Sequence, residues 1–166
     1  MSEREHDRSV LSRLEGCWQG TLLHRAYADQ PFQQLAAKSD NRWVLGGRFI
    51  EMSLHADLWG EAWSAVFYIR HERSERRHVL VSLEPDDRRV TTRLGDWRRE
   101  QGCLVLTSPQ SRAVCDVTVL GQLKLELTDE VAGREFVRFR ADCRSGASPV
   151  LMKSAQPREP RRFVIA

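Results

Sequence analysis

Five histidines and one arginine carry most of the chemistry that this sequence could do. The histidines are His6, His24, His55, His71 and His78, all in the first half of the chain. A histidine changes charge near neutral pH and serves as a general base where it faces a substrate. His24 stands in two-residue phase with Trp18 and Leu22, and His78 with Leu80 and Ser82. On strands, that spacing puts each on a largely apolar face, so these two are the candidate bases. A single histidine with no identified partner is more often structural, and catalysis is therefore the alternative reading.

Arg48 precedes Ile50, Met52 and Leu54 at the same spacing. That phase predicts an inward-pointing cation, which is costly unless paired. Its planar fork of donors matches a carboxylate, making Arg48 the candidate anchor for an acidic ligand. The plainer alternative is that it closes one end of the fold through carbonyls or a nearby carboxylate. Trp18, Trp43 and Trp63 fall in strand-like runs, and Trp59 and Trp97 in turn-like ones. Together with Met52, Phe67 and Arg48, the first three form a candidate lining for an apolar cavity. The alternative for the aromatics is core packing.

Other chemistries leave no trace. Cys17, Cys103, Cys115 and Cys143 form no C-x-x-C pair, and no histidine stands at metal-ligand spacing from them. That argues against zinc, and no metal or cofactor site is predicted. The chain contains no G-x-S-x-G elbow, no phosphate-cradling glycine loop and no H-E-x-x-H. Enzymes that work by shaping a cavity, such as cyclases, isomerases and some hydrolases, need none of these.

The elements that must position these residues are strands. Residues 42–52 read R-W-V-L-G-G-R-F-I-E-M. A Gly-Gly pair between β-formers predicts a tight hairpin, with strands over 41–45 and 48–56. Further strands are predicted over 17–27, 62–70, 77–83, 88–94, 103–107, 112–120, 122–128 and 135–141. Residues 32–37 read equally as helix or strand, 84–87 as a turn, and 95–102 as a polar loop holding Trp97. Val90, Thr92 and Leu94 alternate with polar partners. So do Leu123, Leu125 and Leu127, and again Val137, Phe139 and Ala141, the last set with Arg138 and Arg140 outward. One short helix is predicted over 8–15, with Ser9 as its cap, where it could plug one end of a sheet structure.

This gives about nine or ten strands joined by short turns, with no helix long enough for a parallel crossover. The prediction is an all-β antiparallel meander closed into a barrel, since closure removes exposed edges. Residues 9–143 form the domain, 1–8 a disordered N-terminus, and 144–166 a tail whose Phe163, Val164 and Ile165 could dock on the barrel or on a partner.

Composition narrows the function classes. The chain has 166 residues, 41% hydrophobic and 30% charged, and a net charge of +3. Basic and acidic residues alternate rather than gather on a stripe, which argues against nucleic acid. No apolar run reaches about 18 residues, so no membrane span is predicted. The charged start, M-S-E-R-E-H-D-R-S, lacks a signal core, which predicts a cytoplasmic protein with reduced thiols.

Residues 14–20 read L-E-G-C-W-Q-G. With R-W-V-L-G-G-R-F-I at 42–50, this pattern resembles a bacterial family of lipocalin-like (calycin-type) barrels whose function is not established. The likeness spans about residues 11–141. It implies a closed barrel with a small N-terminal helix and a central cavity, and brings no catalytic residue. One departure is that residues 78–84, H-V-L-V-S-L-E, lack the aromatic residue found there in the family. The G-x-W opening also resembles haem-binding nitrobindin-like barrels. Those need an axial histidine on a late strand, which this chain lacks. The leading expectation is a monomeric or homodimeric barrel binding a small apolar or amphipathic molecule, an acidic one if Arg48 anchors it. A cavity-type enzyme, or a filled barrel acting through a protein contact, are the alternatives.

Overall fold

The computed structural model describes residues 10–58, 60–72, 74–84 and 90–146. Ten strands follow one another: β1 (Gly16–His24), β2 (Gln33–Val44), β3 (Phe49–Leu58), β4 (Glu61–Glu72), β5 (Arg77–Leu83), β6 (Thr91–Arg98), β7 (Cys103–Ser108), β8 (Ser111–Asp116), β9 (Gln122–Val131) and β10 (Arg134–Ser145). Each pairs antiparallel with the next, and β1 pairs with β10. The result is a closed all-β meander barrel of lipocalin-like architecture. Closure leaves no unpaired edge, so pairing of a free edge with a partner is removed. Among the described residues, no helix is long and apolar enough to cross a membrane.

Alternation drives the packing. Ile50, Met52 and Leu54 on β3, Ala65, Phe67 and Ile69 on β4, and Leu123, Leu125 and Leu127 on β9 all face the core. Leu22, Ala65, Phe67, Leu80, Leu106, Ala113 and Leu127 are fully buried at 0% exposure. Full burial means that no water-sized space adjoins them. The middle of the barrel is therefore filled by side chains, each large one contributing about 1.5–3 kcal/mol of burial.

Two inward glycines mark places where strands come together too closely for a side chain. A Cβ at Gly20 would lie 2.0 Å from the Asp142 carbonyl oxygen on β10, and one at Gly95 1.8 Å from that of Val105 on β7. Strands that approach this closely bend, as a small barrel needs at its corners.

Several expectations are corrected. The β2–β3 connection is a four-residue turn over 45–48, not a two-residue one. Leu45, Gly46 and Gly47 take positive φ in succession, and the Gly47 and Arg48 amides both donate to the Val44 carbonyl. Arg48 belongs to this turn, outside the pleat, and is exposed rather than inward. Residues 33–37 are strand, because β2 pairs there with β1. β6 continues through Trp97, which packs against the core instead of lying in a loop. Its phase is also the reverse of the one expected: Arg93 and Gly95 are buried, while Val90 and Thr92 are exposed. The strand expected over 112–120 ends at Asp116, and β10 runs to Ser145. Among the described residues the expected helix shows as helical at 10–12 and a turn at 13–14, and its start, with the Ser9 cap, lies outside them. The N-terminus 1–8, Trp59, the turn residues 85–87 and the tail beyond 146 lie outside the described residues.

That helical turn covers one end of the barrel. Val10, Leu11 and Leu14 are buried there. The Leu14 carbonyl accepts two hydrogen bonds, from Trp18 Nε1 at 3.0 Å and from Asn41 Nδ2 at 2.8 Å. Ser39 Oγ in turn donates to Asn41 Oδ1 at 2.6 Å. The G-x-W opening thus has a local cause: its indole fastens the helical turn across the barrel end.

Candidate functional site

The opposite end, the mouth, is built from where odd-numbered strands finish and even-numbered strands begin. Regular alternation fails there on β10. Val137 pairs with Thr128, but the next partner, Leu127, pairs with Phe139. Arg138 is the extra residue of this bulge. A bulge re-aims one side chain, and here both Arg138 and its neighbour Phe139 are buried.

Arg138 meets a carboxylate delivered by β5. Glu84 follows that strand in phase with Leu80 and Ser82, so it turns inward and is buried. Its Oε2 accepts from Arg138 Nη2, and its Oε1 lies 3.9 Å from Arg93 Nη2. Arg93, at 1% exposure, also donates from Nε to Ser111 Oγ at 2.8 Å and from Nη1 to Ser82 Oγ at 2.7 Å. The Ser108 and Ser111 hydroxyls share a 2.7 Å hydrogen bond. Asp129 completes the group, with Oδ2 at 3.1 Å from Arg138 Nε. Burial pushes the Glu84 carboxyl above its ordinary value, while Arg138 and Arg93 pull against that shift.

Two buried polar atoms at this end have no hydrogen-bond partner. One is Arg138 Nε, whose neighbour Asp129 Oδ2 is close but out of line with the N–H. The other is Gln33 Oε1, at the start of β2. Gln33 pairs with His24, and His24 pairs with Phe139, the residue after Arg138. The backbones of Gln33 and Phe139 therefore flank β1 at one level of the barrel.

Below the ion cluster lies an aromatic layer. The His24 and Trp63 ring centroids are 5.5 Å apart, Trp63 and Phe139 meet edge-on at 6.1 Å, and Phe67 and Phe139 stand at 6.0 Å. Leu35 and Ala56, inward on β2 and β3, are only partly buried. Tyr27, Phe32, Leu83, Val90 and Val131 are exposed near this end, interspersed with exposed charged residues such as Glu61, Glu130 and Arg134. Arg25 lies over the Phe32 ring at 4.5 Å and donates to the Val137 carbonyl at 2.7 Å.

The residues singled out from sequence divide between the two ends. Trp63 and His24 come together beneath the mouth end. Trp18 serves the covered end and Trp43 packs partly buried near it, while Met52 and Phe67 belong to the filled middle. His78 is buried with its ring 5.1 Å from that of His71. Arg48 reaches neither end of the interior. A surface groove of about 670 Å³ also runs beside the helical turn, between Arg13, Trp18, Leu120 and Gly146.

Sequence reasoning missed Gln33, Glu84, Arg93, Asp129 and Arg138. For Glu84, the signal was the two-residue phase from Leu80 and Ser82 extended by one step. For Asp129 it was the same phase beyond Leu127. Arg138 carried no signal, because a bulge is set by pairing and not by local pattern. Comparison of the sequence with protein-family models and with curated proteins finds no match.

Proposed function

We propose that this barrel is a binding protein of lipocalin-like kind, which takes a small amphipathic molecule at its mouth. The polar head lies against the ion cluster of Arg138, Glu84 and Arg93, and the apolar body rests on Leu35, Ala56 and Trp63. The observation that carries this reading is the buried ion cluster itself. Buried charges stabilise a fold no better than well-packed hydrophobic residues of similar volume. Three of them, Glu84, Arg93 and Arg138, gathered beside half-buried Asp129 at one end of a largely apolar interior, suit a ligand more than a core. The exposed Tyr27, Phe32 and Val90 at the same end support the reading, since exposed apolar side chains that gather in one place can mark an interaction site. The anchor is then Arg138 with Arg93, in place of Arg48.

The test is native mass spectrometry of protein purified from its own host. The expected result is a one-to-one complex that releases a molecule with an apolar body. Ala56→Leu, which fills the mouth, should abolish the bound mass while the circular dichroism spectrum stays that of the parent. Bare protein alone, or a bound mass retained by Ala56→Leu, would overturn the proposal.

A further inference from the structure

The outside of the barrel has two unlike halves. Outward positions on β2, β9 and β10 carry charge, as at Lys38, Asp40, Lys124, Glu126, Arg140 and Asp142. On β4 to β8 outward positions are largely apolar and fall opposite one another. Tyr68 pairs with Val81, Val79 with Leu94, and Val105 with Val114. Leu94 pairs with Thr107, two residues from Val105, so the pairs join diagonally into one face. All six side chains point away from the core and are half-buried. Among the described residues no element packs over them: the ten strands all belong to the barrel wall, and the helical turn covers its end.

We propose that this face is the contact surface of a homodimer, against which a second copy of the chain packs its own β5, β6 and β7. Closure leaves no strand edge to share, so association has to use a face. Sheet stability alone does not call for the apolar choice. Cross-strand pairs of opposite charge stabilise a sheet as apolar pairs do, and this barrel uses them elsewhere, in Arg42 with Glu51 at 2.9 Å and Arg140 with Glu126 at 2.6 Å.

Size and charge both favour a second copy. From β4 to β8 and across three outward levels the face spans about 19 Å by 14 Å between Cα positions, and side-chain width brings it to the order of 400 Å². A stable interface buries about 800 Å² on each partner, as an apolar core inside a polar rim. The face has the size of such a core. The wall curves, so β5 to β7 form the centre of the contact and β4 and β8 its flanks. The rim carries both signs. Glu72 pairs with Arg77, whose Nε lies 3.8 Å from Asp96 Oδ2, and Arg70 and Arg112 stand at the two ends of the Val79–Leu94 level. A rim of mixed sign suits a copy turned about a two-fold axis, whereas a partner of one strong charge meets repulsion from part of it.

The experiment uses the full chain and size-exclusion chromatography with light scattering. The unaltered protein is expected to show the mass of two chains. Leu94→Asp, and separately Val79→Lys, should shift it to the mass of one chain with the circular dichroism spectrum of the parent, while Lys124→Glu on the charged half keeps the mass of two. Hydrogen exchange of the unaltered protein should slow in β5, β6 and β7 on going from dilute to concentrated solution, a readout that stands whether or not the variants fold. A single-chain mass for the unaltered protein, a two-chain mass that survives both Leu94→Asp and Val79→Lys, or exchange in β5 to β7 that ignores concentration would overturn the proposal.

Discussion

Removing the Arg138 side chain should be among the most damaging single changes that this barrel can suffer. It leaves Glu84 buried at 3% side-chain exposure with, among the described residues, only the more distant Arg93 as a counter-ion. Stranding one member of a buried ion pair costs about 3–5 kcal/mol. In a chain of this length, each kcal/mol moves the melting midpoint by about 2–4 °C, so Arg138→Met should melt about 6–20 °C lower than the parent. Glu84→Leu alone should also destabilise, since it strands two guanidiniums with Asp129. The double variant removes both halves of the pair, and its loss should fall short of the summed single losses by about 2 kcal/mol or more. The pH dependence has a definite sign. Burial already raises the Glu84 carboxyl, and losing Arg138 raises it further. An acid with a raised folded value stabilises the fold below its unfolded value, and that contribution is lost as pH rises through the folded one. The deficit of Arg138→Met should therefore be smallest near about pH 4 and grow toward neutrality. Urea unfolding followed by circular dichroism at both pH values measures all of this. A single-variant cost below about 1 kcal/mol, additive losses in the double variant, or a deficit that grows on acidification would refute the reasoning.

Other expectations are simpler. Gly20→Ala forces a Cβ onto the Asp142 carbonyl, 2.0 Å away, so the β1–β10 seam should open and soluble expression should fall sharply, as read by circular dichroism. Arg48→Ala changes an exposed turn residue and should leave the urea midpoint within the equivalent of about 0.5 kcal/mol, with ligand occupancy unchanged in native mass spectra. Burial pushes the Cys115 thiol up to about 12 and the Cys143 thiol up to about 11. Neither should react with iodoacetamide at neutral pH until the protein unfolds, whereas partly exposed Cys17 should be modified first, as peptide mapping would reveal.

Much of the barrel was legible because strand alternation is a local property. Leu123, Leu125 and Leu127, or Ile50, Met52 and Leu54, announce an inward face without reference to anything distant. The errors fell where local pattern and pairing disagree. Val90, Thr92 and Leu94 look like an inward set, yet Arg93 wins the interior because Glu84, Ser82 and Ser111 await it there. Arg48 looked in phase with Ile50, but the turn ended the pleat one residue too soon for it.

Side-chain alternation and turn composition alone imply that the chain is all β, that it meanders in short antiparallel steps, and which residues fill the middle of the barrel. Those features follow from side-chain period and turn chemistry, which act over a few residues. That the two ends differ emerges from long-range contacts. Trp18 and Asn41 meet on the Leu14 carbonyl, 27 residues from Asn41, and Arg138 reaches Glu84 across 54 residues of chain. A bulge on β10 turns that arginine inward, and a bulge is a property of two strands in register. Contacts of that range cost chain entropy that no local pattern encodes, so the charged mouth exists only once the barrel has closed.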